Sequence, residues 1–246
     1  MRGGAALVAA FLLLLSQSQA ASQSVMPADF AYLRDIDPGI DQDIRYAGSV
    51  NFVGRKLPGY ESGECLLRRG VASALKRVQA ELAFSGLGLR VYDCYRPQRA
   101  VGAMVEWVRN GRPDGDKRFY PKIEKRSLLA GYISAQSLHA SGTAVDLTLV
   151  RNGGRASSQP ASDAPCTAPA AQRGDDSVDM GTGFDCFDLA SRTANAAIGA
   201  EQRRARMTLL VAMERHGFKN YAREWWHFAY VNAPRGRSHD FPILPR

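Results

Sequence analysis

The chain predicts an α+β fold, a central antiparallel-type sheet flanked by helices, and three observations predict it. Apolar residues recur at helical spacing in three separate stretches. Short runs of β-branched and aromatic residues lie between them. The two kinds of element interleave without the regular alternation that a parallel βαβ sheet requires.

In chain order, residues 21–60 hold Pro, Gly and short apolar pieces, an irregular arm with a strand near Asp43 to Tyr46. Val71, Leu75, Val78 and Leu82 fall on one helical face, so the spacing predicts a helix from Gly70 to Ala83, ended by Gly86 and Gly88. Leu89 to Tyr95 reads as a strand. Pro97 suits the first turn of a helix, and Val101, Met104, Val105 and Val108 carry that helix to about Val108, where Asn110-Gly111 stops it. Thr143 to Leu149 is a second strand. Met207, Leu210 and Val211 mark a third helix from Glu201 to Arg215, with Gly217 as its stop. Trp225 to Val231 reads as the last strand. Arg151 to Val178 is different: rich in Ala, Ser, Pro and Gly and without apolar period, it reads as a long loop insertion. It starts just beyond the Thr143 to Leu149 strand and returns just before Asp185, so it is expected near the mouth of a site.

The first residues have the make-up of a secretory signal. Arg2 precedes an apolar run of eleven residues, Ala5 to Leu15, and Ser18-Gln-Ala20 is a small-x-small cleavage site. Eleven residues are too few to span a bilayer, which takes about 20. Cleavage after Ala20 leaves residues 21–246 as one domain, exported and most simply periplasmic or secreted, with no stable membrane insertion. Formal charge is +8, and loss of Arg2 leaves +7. No nucleic-acid motif accompanies this basic balance, and the densest cluster, Arg203 to Arg206, is explained by a solvated helix face. Nucleic acid is therefore not an expected partner. The four cysteines, Cys65, Cys94, Cys166 and Cys186, allow three connectivities as two disulfides. Cys65–Cys94 and Cys166–Cys186 are favoured; the first would stiffen the backbone beside Arg96, the second would anchor the polar insertion. Their spacings fit no CxxC metal pattern.

Ser137-Leu-His-Ala-Ser-Gly-Thr-Ala-Val-Asp146 and Glu224-Trp-Trp-His227 carry the chemistry. Zinc takes imidazole and carboxylate ligands, and a catalytic site keeps one position open. His139, Asp146 and His227 are the candidate ligands for one Zn²⁺, and Glu224 the candidate general base. Glu224 and His227 would face opposite ways in one regular strand, so Glu224 is placed in the turn before it. His216, at a helix end, reads as a surface cation, His239 as solvated, and Trp225 and Trp226 as packing residues at the ends of the ligand strand, with a substrate-wall role for one of them as the alternative.

These two motifs resemble those of the zinc D,D-peptidases, and the fuller likeness is to the D-alanyl-D-alanine dipeptidases. Tyr46-Ala-Gly-Ser-Val-Asn-Phe52, Val91-Tyr-Asp-Cys-Tyr-Arg-Pro97, Met180-Gly-Thr-Gly-Phe-Asp185 and Glu224-Trp-Trp-His-Phe228 extend it over nearly all of the mature chain. The resemblance implies zinc on His139, Asp146 and His227, Glu224 as catalytic base, and Arg96 stabilising the transition state. It also implies Asp185 as receiver of the substrate's free amine and Ser137 as a substrate contact. The implied substrate is a small D,D-dipeptide, from wall salvage or turnover. Two alternatives stand beside it: a D,D-carboxypeptidase trimming longer stem peptides, and a noncatalytic zinc-containing wall-binding module.

Overall fold

A computed structural model describes residues 25–151, 162–233 and 236–246. The signal segment therefore lies outside the described residues, as does the stretch 152–161 of the insertion. Along the chain come β1 (Phe30–Tyr32), α1 (Leu33–Ile36), β2 (Asp41–Gln42), β3 (Leu66–Arg68), α2 (Arg69–Ala83) and β4 (Leu87–Asp93). Then follow α3 (Gln98–Arg109), β5 (Ala144–Arg151), α4 (Ala170–Arg173), α5 (Ala200–Arg215), β6 (Phe218–Asn220) and β7 (His227–Tyr230). The fold is α+β. Five strands form one sheet in the order β2-β4-β5-β7-β6, antiparallel except for the β2 edge, and β1 pairs with β3 in a separate two-stranded ribbon.

Residues 144–150 of β5 are buried without alternation, so this central strand is covered on both faces. The α2 residues Val71, Leu75, Val78 and Leu82 are all buried, as their spacing predicts. Met104, Val105 and Val108 do the same for α3, whose Pro97 sits one position earlier than expected, at the N-cap. Gly86 is left-handed just past α2, while Gly88 belongs to β4.

The register of the sheet builds the site. Asp93 of β4 stands opposite Asp146 of β5, which stands opposite His227 of β7. One row across three strands thus carries three polar side chains, and an irregularity between Val91 and Asp93 brings Asp93 into it. The turn after Ser137 delivers His139 to the same place and closes on Gly142, which is left-handed at φ 71°. A Cβ on Gly142 would also run into the Phe30 ring, so only glycine satisfies both demands.

Five expectations are corrected. The early strand is Asp41–Gln42, and Arg45–Ala47 is a 3₁₀ turn instead, because the Asn51 amide donates to the carbonyls of Arg45, Gly48 and Arg55 and curls the chain. The α5 helix is where it was expected, but its inward face is Arg206, Leu209, Ala212 and Met213, while Met207 is 55% exposed. The basic cluster is accordingly not all solvated: Arg206 is buried. His239 is not free in solvent, since it lies edge-on to Phe30 with its Nε2 3.3 Å from Arg68 Nη2. Finally, the described part of the insertion, residues 162–178, holds α4 and does not line the mouth of the site. Buried Arg90 pairs with Asp176, Val178 donates to the Leu149 carbonyl, and Cys166 is bonded to Cys186, so the segment is drawn over the sheet. There it borders a smaller cavity with Arg45, Tyr92 and Phe184.

Both disulfides are those favoured from sequence, Cys65–Cys94 and Cys166–Cys186, each with Cα atoms 5.3 Å apart. His216 caps α5 and meets Glu81 of α2 at 2.9 Å. Trp225 and Trp226 are both buried. Among the described residues, no helix is long and apolar enough to cross a membrane.

Candidate active site

Arg96, Ser137, His139, Asp146, Asp185, Glu224 and His227 all line one cavity of about 590 Å³. Its outer wall is the segment 129–136, to which no role is assigned from sequence, together with Met104 and Val105 of α3.

His139 Nε2, His227 Nδ1 and Asp146 Oδ1 converge. The two nitrogens are 3.1 Å apart, and they lie 3.3 and 2.9 Å from the carboxylate oxygen. Tetrahedral zinc with bonds of about 2.0–2.1 Å sets its ligand atoms about 3.3 Å apart, so the triangle has the size the ion needs. The tautomer also fits. The Cys94 carbonyl, 2.7 Å from His139 Nδ1, accepts that N–H and leaves the Nε2 lone pair facing inward. The donor set is right for zinc, and the charge around it asks for a cation: Asp93, Asp146, Asp185 and Glu224 are all buried.

These neighbours set the acidities. Burial would raise the Asp146 carboxyl, but His139 and His227 hold it far below the usual range. Burial also lowers His227, while Asp146 outweighs burial at His139 and raises it. Glu224, 7% exposed, is pushed well up by burial and then by Asp146 and Asp185. It stands in the turn before β7, as expected, with its carbonyl fixed by the Asn220 amide at 3.0 Å. Burial with Asp146 nearby raises Asp185 to about 8.

Arg96 sits between β4 and α3, its Nε and Nη2 at 2.9 and 2.8 Å from Asp93 and its Nη2 3.5 Å from Asp146. Its guanidinium also lies over the Tyr46 ring, 4.9 Å from the centroid. Tyr46 donates to Asp185 at 2.6 Å, and Tyr60 donates to Asp93 at 2.5 Å. Tyr46, Asp93 and Tyr60 had no role assigned from sequence. Tyr46 and Asp93 do fall inside the segments quoted above, and that was the signal available for them.

Two imidazoles and a carboxylate gathered for a metal, with an unused acid and an arginine over the same cavity, define a metallopeptidase. Sequence comparison is more specific. The family model described as D-ala-D-ala dipeptidase, Peptidase_M15, matches residues 26–162 and 152–243, and the chain belongs to that family. A D-alanyl-D-alanine dipeptidase of Enterococcus faecium is 31% identical over 223 residues, 89% of this chain and 100% of the relative. One of Enterococcus faecalis is 32% identical over 211 residues, 85% of this chain and 95% of its own. One of Streptomyces coelicolor is 32% identical over 221 residues, 89% and 100%.

The raised acid gives a test in the metal-free protein. Asp185 titrates at about 8 when folded and, as an ordinary aspartate, at about 3.9 when unfolded. Between these values the native state holds a proton that the unfolded state has lost, so its stability contribution falls as pH rises from about 4 to about 8. The melting temperature of zinc-free protein is expected to decline across that window more steeply than that of Asp185→Asn. Parallel curves would contradict the assignment.

Proposed function

We propose that this protein is an exported zinc dipeptidase that hydrolyses D-alanyl-D-alanine to two D-alanines. The observation that carries the reading is Asp185, a buried carboxylate in the same cavity as the His139–Asp146–His227 cluster and Glu224. A carboxylate there suits the ammonium of an unblocked peptide and has no use in a substrate whose amine is acylated.

Zinc on His139, Asp146 and His227 would polarise the scissile carbonyl and acidify a water, from a pKa of about 15.7 towards about 7. Glu224 takes the proton of the attacking water and returns it to the leaving amine. Arg96, held by Asp93 and Tyr46, faces the oxyanion as a fixed planar donor. Asp185 holds the ammonium end and Ser137 the peptide backbone. A D,D-carboxypeptidase acting on longer stems needs no amine-binding carboxylate, and a wall-binding module needs neither Glu224 nor Arg96. Export rests on the signal-like first twenty residues, and the role that follows is salvage or turnover of wall-derived dipeptide.

The test is release of D-alanine by signal-free, zinc-loaded protein from D-alanyl-D-alanine, its N-acetylated form and a stem pentapeptide. Release from the free dipeptide alone is expected. Release mainly from the blocked or longer peptides would replace the dipeptidase reading with the carboxypeptidase one. Recovery of the mature protein from cytosol would remove the salvage role.

A further inference from the structure

The loop that carries Asp185 is strained and yet fixed, and the source of its rigidity lies outside the cavity. Asp185 has φ 56°, and it is the one non-glycine residue with positive φ among those described. An aspartate tolerates that conformation at some cost and keeps it only where its surroundings impose it.

Arg206 of α5 reaches the loop from behind. It is 2% exposed, its Nε donates to the Met180 carbonyl at 2.7 Å, and its Nη1 donates to the Arg192 carbonyl at 2.7 Å. One planar fork thus joins the two ends of the segment 180–192, with Asp185 between them. Burial draws its pKa down to about 10, the mark of a guanidinium that is costly to keep there. Its face lies 6.0 Å from the Trp225 ring centroid. A short relay continues from that ring. Trp225 Nε1 donates to Thr182 Oγ1 at 2.8 Å, Thr182 Oγ1 meets Ser191 Oγ at 3.0 Å, and Ser191 Oγ donates to the Cys186 carbonyl at 2.6 Å. The Trp225 amide donates to the Ser191 carbonyl at 3.1 Å. The relay ends on the residue after Asp185 and starts on the residue after Glu224.

We infer that Arg206 is a positioning residue for substrate-amine recognition, a clamp on both ends of the 180–192 loop that sets Asp185 against the ammonium and ties it to the Glu224 turn. Lysine keeps the charge but gathers its donors on one nitrogen and lacks the rigid planar spread that reaches both carbonyls, so a mere need for buried charge is separable from the clamp. The inference rests on Asp185 receiving the amine, and the experiment distinguishes the two failures.

The measurement is inhibition by a phosphinate analogue of the dipeptide, with a free amine and with that amine acetylated, on zinc-loaded wild type, Arg206→Lys, Asp185→Asn and the double variant. In wild type the free-amine analogue is expected to bind the more tightly. In Arg206→Lys that preference falls by about tenfold, within the coupling expected of residues in one network. The acetylated analogue binds it as in wild type, zinc content is unchanged, and the double variant loses no more preference than Asp185→Asn alone. An undiminished preference in Arg206→Lys, or equal weakening of both analogues, overturns the clamp alone. No preference in wild type overturns the amine site and the clamp together. Should Arg206 variants not fold, Ser191→Ala, which removes the hydroxyl donor from the Cys186 carbonyl and leaves it only the Asp188 amide, takes their place: a fall in preference supports the coupling and an unchanged preference overturns it.

Discussion

Glu224→Gln is expected to lower kcat on D-alanyl-D-alanine by about 10²–10⁴-fold while leaving KM and bound zinc near their wild-type values, because a positioned general base contributes about that factor. Glutamine has the same shape and keeps an acceptor oxygen, but it cannot take a proton from water. The turn does not depend on the charge: the Glu224 amide donates to the Tyr221 carbonyl at 2.8 Å, and Asn220 grips the Glu224 carbonyl. Glutamine also avoids the cost of burying a charge there and the repulsion from Asp146 and Asp185, so the variant should fold at least as well as wild type. Steady-state kinetics beside metal analysis of the same sample decide it. A kcat within tenfold of wild type would remove Glu224 from the proton transfer.

Asp146→Asn is expected to abolish activity by a different route, through the metal. The carboxylate is the one charged member of the donor triangle, and His139, His227 and Arg96 all address it. An outer partner of a zinc ligand is worth about 10–100-fold in metal affinity, so a charged ligand should cost more than about 100-fold. Titration with a chelating competitor measures this directly. Zinc affinity unchanged by the substitution would mean that the ion, if bound, sits elsewhere.

The sequence carried the site further than it carried the fold around it. His139, Asp146, Glu224 and His227 announce themselves because metal and proton chemistry restrict residue type and spacing. The strands bearing Asp146 and His227 were visible in their β-branched and aromatic runs. Tyr46 and its bond to Asp185 were not, since the partners stand 139 residues apart and only packing unites them. Arg206 was misread for a related reason. A pattern of polar and apolar residues assigns every arginine to water, whereas two carbonyls at the ends of a loop can claim one for the interior. The path of the insertion departs from the expected one because, beside the Cys166–Cys186 bond, it is set by Asp176 on Arg90 and Val178 on the Leu149 carbonyl, long-range ties that no local composition reveals.

The row Asp93–Asp146–His227 divides the molecule into parts with unequal freedom to change. Each of its members sits on a paired strand, and slipping any strand by one position would turn its side chain to the opposite face. Two of the three candidate metal ligands, Asp146 and His227, are therefore locked to strand register and cannot be adjusted by degrees. The outer wall at residues 129–136 holds no strand and owes nothing to that register. Variation in which side chains a peptide brings can accumulate there, by descent or by design, without touching the candidate metal ligands and base.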